Sequence, residues 1–161
     1  MTILKQTLLK WAALIFVIVT LDQVTKSLAT FHLGYGAPVA VFQGLNFTLL
    51  HNTGAAFSFL HDQNGWQRWF LSIVTLLISG GLVIWFYSLR GSQIWMRCAI
   101  CFVLAGAIGN LFDRLVFGYV IDFIQLYWEN WYWPAFNVAD ISICVGAVMV
   151  IFSNSENKNV A

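Results

Sequence analysis

Four stretches of the chain stay apolar for about twenty residues each, roughly 9 to 29, 68 to 88, 95 to 114 and 135 to 153, broken only by small or isolated polar residues. A helix of that length crosses about 30 Å of hydrocarbon, so each is predicted to be a transmembrane helix. The segments between them follow another rhythm. Val39 to Phe42 is followed by Gln43-Gly44, and then Leu45, Phe47 and Leu49 alternate with Asn46 and Thr48, the pattern of a β-hairpin. Asn52 or Thr53 can cap a short apolar helix over Gly54 to Leu60, too short to span and suited to the membrane interface. Gly118 ends the third helix, and Tyr119 to Leu126 reads as extended chain with Val120, Asp122, Ile124 and Leu126 on one face. Pro134 is expected to open the fourth helix, which places Asn137 and Asp140 at i and i+3 about two turns inside it. The predicted class is an all-α integral membrane protein of four transmembrane helices, roofed by a small extracytoplasmic sheet and an interfacial helix, in a single domain over residues 1–161.

Composition makes the membrane reading firm. The 161 residues are 60% hydrophobic and 17% aromatic, with a mean hydropathy of +0.75, which exceeds what a soluble domain of this size can bury. The basic residues Lys5, Lys10, Arg90, Arg97 and Lys158 fall in the termini and in the connection between the second and third helices. Those parts should face the cytoplasm, leaving 30 to 67 and 115 to 134 outside. Aromatic residues flank both interfaces, with Trp66, Trp69, Tyr127, Trp128, Trp131, Tyr132 and Trp133 on the outer side as anchors. A net charge of +1 without a basic stripe sets nucleic acid aside as a partner. Met1 to Ala29 also has the outline of a secretory signal, ending in Ser27-Leu28-Ala29. Asp22 and Lys26, one helical turn apart just before that point, favour an uncleaved first helix.

Against this background the acids stand out. Asp22, Asp122 and Asp140 lie in or beside apolar runs although only 9% of residues are charged. A carboxylate at bilayer depth costs about 2.5 to 3.5 kcal/mol even on the lenient insertion scale, so each requires a partner, a wet cavity or a part in chemistry. Asp22 with Lys26 reads as an internal ion pair, and Asp113 beside Arg114 as structural, with Arg114 also able to reach a peptide carbonyl. Two carboxylates brought together in a partly dry site share a proton, one acting as base and the other as acid, and can hydrolyse an amide without metal or covalent intermediate. Whether Asp122 and Asp140 meet in this way, or are structural acids, the residues alone leave open. His32, His51 and His61 are scattered and lack H-E-x-x-H spacing, so no metal and no cofactor is expected. Cys98 and Cys101 form a C-x-x-C within an apolar helix, far from Cys144, and read as small buried side chains.

The ordered motifs resemble those of the bacterial lipoprotein signal peptidases, the signal peptidase II family. Asp22-Gln23-Val24-Thr25-Lys26 is similar to that family's D-Q-x-x-K, Asn52-Thr53-Gly54-Ala55-Ala56-Phe57 to N-x-G-A-A-F, and Gly109-Asn110-Leu111-Phe112-Asp113-Arg114 to G-N-L-x-D-R. Gly118 to Ile124 resembles G-x-V-x-D-F-I, and Phe136 to Asp140 resembles F-N-x-A-D. Ala105 and Ile141 depart from residues common in relatives, glycine and a small polar residue, without touching the acids. The resemblance implies four helices with an outer β-cradle and interfacial helix, in the bacterial inner membrane, with both termini cytoplasmic and the site near the outer face. It implies an aspartyl endopeptidase that cleaves prolipoproteins just before a diacylglyceryl-modified cysteine, with Asp122 and Asp140 as the catalytic pair. Asn52, Asn110, Arg114 and Asn137 would line the site, and Asp22 would support it. Partners would be lipid-modified prolipoproteins and membrane lipids, with the chain acting as a monomer. Two other readings compete. A proton-coupled transporter would string acids across the membrane in an inverted repeat, and a noncatalytic scaffold would tolerate neutral replacements at both aspartates.

Overall fold

The computed structural model describes residues 2–54, 65–90 and 92–156, with side chains described from Leu8 to Ser153. Among the described residues, four helices and a four-stranded antiparallel sheet follow one another as α1 (Thr2–His32), β1 (Val39–Phe42), β2 (Leu45–Asn52), α2 (Trp66–Ser88), α3 (Ile94–Val116), β3 (Val120–Trp128), β4 (Trp131–Tyr132) and α4 (Val138–Glu156). The fold is therefore mostly helical rather than all-α. Leu8–His32 within α1, together with α2 and α3, is long and apolar enough to cross a membrane, whereas the apolar part of α4, Val138–Ser153, is shorter. The proposed interfacial helix over Gly54 to Leu60 lies almost wholly outside the described residues, as do His61 and Lys158.

α4 begins four residues later than Pro134 implies, because the chain before it is used by the sheet. Phe136 exchanges backbone hydrogen bonds with Ile124, which holds the segment extended until Asn137. There Asn137 Oδ1 accepts the Asp140 N–H at 3.0 Å, and Asp140 Oδ2 accepts the Asn137 N–H at 3.1 Å. This reciprocal pair is a capping box, so Asp140 sits in the first turn rather than two turns in, where the helix N-terminus favours a negative charge.

The sheet order is β1-β2-β3-β4. The predicted β1–β2 hairpin is present and β2 continues to Asn52, where it pairs with β3 and sets Leu50 opposite Asp122 and Asn52 opposite Val120. Gly118, at φ 89°, turns the chain from α3 into β3, a conformation that favours glycine. The sequence pattern does not predict β4, which folds back on β3 through a turn at Glu129 and places Trp131 opposite Trp128.

α3 is the central helix. Its N-terminal half packs Met96, Ile100, Cys101 and Leu104 with Phe86 of α2, and Trp11, Leu14 and Ile15 of α1 lie against that cluster. Phe16, Leu77, Ile84 and Ile151 remain exposed, as a lipid-facing surface requires. Toward the other end, α3 and α4 approach closely at Gly106, where an added Cβ would collide with the Ala139 carbonyl and the Ile143 side chain. Gly106→Val should destabilise the bundle by about 1–3 kcal/mol, through forced displacement of backbone. An unchanged unfolding midpoint in detergent would show that the helices are not in contact there.

Candidate active site

Every site residue anticipated from sequence lies where the C-terminal part of α3, the start of α4, the C-terminal part of α1 and strands β2 and β3 converge. Asp122 is carried by β3, with its side chain buried. Its Oδ1 accepts from Asn137 Nδ2 at 2.7 Å and its Oδ2 from Asn52 Nδ2 at 3.1 Å. Asp140 is held in a similar way, by Asn110 Nδ2 on Oδ1 at 2.7 Å and by the Asn137 N–H on Oδ2 at 3.1 Å. Asn137, fully buried, thus bridges the two carboxylates, donating to Asp122 through its side chain and to Asp140 through its backbone. Its Nδ2 also lies 3.2 Å from Asn110 Oδ1 and 3.3 Å from the Ile121 carbonyl.

Burial pushes the Asp122 carboxyl up to about 7, and the negative charge of Asp140 adds to the effect. Hydrogen bonds from Asn52 and Asn137 and the positive charge of Lys26 oppose it without cancelling it. An acid poised near neutrality beside a second carboxylate is the arrangement in which one proton is shared. Asn52 also shapes the backbone, since its Oδ1 accepts the Gly54 N–H at 3.0 Å and forms a local turn at the end of β2. Arg114 Nη2 lies 3.5 Å from the Gly54 carbonyl, as the sequence suggested, and within the electrostatic field of Asp140 and Asp122.

Asp22 and Lys26 form the expected ion pair, at 2.9 Å, but it is not isolated. Lys26 also pairs with Asp113 at 2.8 Å, so the partner of Asp113 is Lys26 rather than its neighbour Arg114. Gln23 Nε2 joins the cluster, donating to Asp113 Oδ1 at 2.9 Å and Asp22 Oδ2 at 3.1 Å. The sequence presents Lys26 only as the ion-pair partner of Asp22, and Gln23 only as part of the D-Q-x-x-K motif, and places neither of them in the site. The signal for Lys26 is its burial cost, since a lysine in mid-helix needs more than one acid four residues away.

His51 is stacked on Tyr119 at 3.9 Å between ring centroids, with Tyr35 on another side, and its pKa is lowered by burial. Cys98, Cys101 and Cys144 are free thiols on α3 and α4. Because carboxylates and amides line the candidate site, Cys→Ala at all three positions should leave its activity intact, and chelators should not inhibit. Loss of activity in chelator that zinc restores would point instead to a His-ligated metal.

The family model described as signal peptidase (SPase) II matches residues 14–155, nearly the whole chain. The chain belongs to the signal peptidase II family. Among curated relatives, the lipoprotein signal peptidase of Pseudomonas aeruginosa (strain PAO1) is 43% identical over 152 residues, covering 93% of this chain and 90% of the relative. That of Vibrio cholerae serotype O1 (strain El Tor Inaba N16961) is 40% identical over 160 residues, covering 98% and 94%. A solved bacterial membrane enzyme, determined by the in meso method at 2.3 Å, superposes with a TM-score of 0.84 at 30% identity, covering 94% of this chain and 92% of that one. With its apolar helices and these relatives, the chain is a membrane-embedded signal peptidase II family protease.

Proposed function

We propose that the chain is an aspartyl endopeptidase that removes the signal peptide from diacylglyceryl-modified prolipoproteins, cutting just before the lipidated cysteine. The observation that carries this reading is the bridge of Asn137 between Asp122 and Asp140, inside a chain of the signal peptidase II family. One carboxylate takes a proton from water as the water oxygen attacks the scissile carbonyl. The other, holding the shared proton, gives it up as the amine leaves. Asn52, Asn110 and Asn137 hold both carboxylates in place while Arg114 offers positive charge toward the peptide backbone, and Asp22 supports the site from α1.

The same reading makes the protein one domain over residues 1–161, monomeric, in the bacterial inner membrane, with four crossings. α4 is the shortest of these, and a short apolar helix packed against a longer one is accommodated by local bilayer thinning at modest cost. Both termini then face the cytoplasm and the aspartates lie near the outer face, the depth at which a substrate anchored by acyl chains presents its peptide bond. Reporter fusions after Lys10, Arg90 and Lys158 should report cytoplasm, and fusions within 30 to 67 or 115 to 133 the opposite side. A cytoplasmic signal from either outer segment would place the aspartates at the wrong face for an exported lipoprotein.

The activity itself is tested by incubating purified protein with a purified lipid-modified prolipoprotein and weighing the products. Two fragments separated immediately before the modified cysteine are expected. An intact substrate, or a cut elsewhere, would overturn the proposal.

A further inference from the structure

We propose that Lys26 is a positioning residue that sets the relative placement of Asp122 and Asp140. This rests on the reading of those two aspartates as the catalytic pair. The ammonium group of Lys26, 1% exposed, has three protons and three acceptors: Asp22 Oδ2 at 2.9 Å, Asp113 Oδ2 at 2.8 Å and Asn110 Oδ1 at 3.0 Å. Each acceptor leads in one further step to the pair. Asp22 Oδ1 accepts the N–H of Ala139, the residue before Asp140, at 2.9 Å. Asp113 Oδ2 accepts the N–H of Ile121, the residue before Asp122, at 3.2 Å. Asn110 donates directly to Asp140 Oδ1 at 2.7 Å. Lys26 can only donate, so it requires the Asn110 oxygen to face it and thereby turns the Asn110 NH2 toward Asp140. One cation on α1 therefore holds the backbone beside both aspartates and the side chain of a third contact.

Stability alone does not account for such a cluster. Buried ion pairs and triads are often replaceable by packed apolar residues at no cost in stability, so the burial of two acids around one lysine is better explained by what they hold. Gln23 reinforces the link between the two acids and also reaches the Gly109 carbonyl, 3.3 Å away, which fixes the cluster to α3.

The test compares wild type, Lys26→Met, Asp113→Asn and Asp122→Asn in detergent, with a lipid-modified prolipoprotein as substrate and rates expressed per folded molecule. Lys26→Met removes the cation, while Asp113→Asn keeps Lys26 paired with Asp22 and leaves no excess charge, so it remains informative if the first variant folds poorly. Positioning predicts that kcat falls by roughly 100-fold in the folded variants while KM stays within about 3-fold, because the substrate still binds but the reacting groups are displaced. Unchanged kcat per folded molecule, with loss only in the amount of folded protein, would overturn the inference and leave the cluster a structural one. Asp122→Asn distinguishes failure of the catalytic pair from failure of its positioning. If that variant cleaves normally, the catalytic reading itself fails; if it is inactive while Lys26→Met and Asp113→Asn turn over normally, only the role of Lys26 fails.

Discussion

Asp122→Asn and Asp140→Asn should each lower turnover of a lipid-modified prolipoprotein by about three to five orders of magnitude, with the protein still folded. Each replacement keeps side-chain volume and some hydrogen-bonding capacity but removes the group that accepts or returns the proton. The Asp122 variant carries its own control for folding. With its pKa raised to about 7 in the folded protein, Asp122 binds a proton more tightly there than in the unfolded chain. Its contribution is therefore most favourable below the ordinary carboxylate range near pH 4 and is lost as pH rises toward 7. Asp122→Asn removes that dependence, so relative to wild type the variant should gain stability between pH 4 and pH 8. Losing one acceptor for Asn52 or Asn137 costs about 1–3 kcal/mol at both pH values and does not affect the difference. Thermal unfolding in detergent at the two pH values measures it, and a variant no better off at pH 8 than at pH 4 would mean that Asp122 is ionised without strain in the wild type.

The same prolipoprotein without its diacylglyceryl group should be cut very poorly, even with its peptide sequence unchanged. The surface around β3 and β4 is rich in exposed aromatic residues, among them Trp128, Trp131 and Trp133, and the exposed faces of the helices are apolar. Recognition should then lean on the lipid. Burial of an acyl chain contributes about 0.8 kcal/mol per methylene, so two chains confine the substrate to the bilayer and present its cysteine at a fixed depth. That confinement turns a search in three dimensions into an encounter at the depth of Asp122 and Asp140. Modified and unmodified substrate compared in one detergent preparation should differ by orders of magnitude in kcat/KM; equal rates would show that the lipid is not recognised.

Much of this architecture is legible in the chain because local patterns produce it. The apolar lengths give α1, α2 and α3, and alternation around Gln43-Gly44 gives the β1–β2 hairpin. Asp22 and Lys26 are readable as a pair because one helical turn separates them. What escapes a local reading depends on contacts far apart in sequence. Asp113 has a nearer cation in Arg114, yet the fold brings Lys26 to it from α1. Pro134 is a sound helix-opening signal locally, and only the pairing of Phe136 with Ile124 keeps the chain extended beyond it and delays the start of α4. That displacement makes Asn137 the cap of α4, and hence the link between Asp122 and Asp140, which spacing along one helix does not foretell. β4 is two residues long and too short to leave a period in the sequence. For the site, residue chemistry leaves Asp122 and Asp140 as one possibility among several, and the ordered motifs, rather than any spacing, single them out.

The central claim is that Asp122 and Asp140 act as one unit, and a double-mutant cycle on turnover tests it most directly. Rates of the wild type, Asp122→Asn, Asp140→Asn and the double variant should be measured on one lipid-modified substrate in one preparation. If the pair shares a single proton, either replacement disables the unit and the double variant should be no more than about 10-fold slower than the slower single one. Losses that multiply across the two sites, or near-normal cleavage by either single variant, would contradict the account.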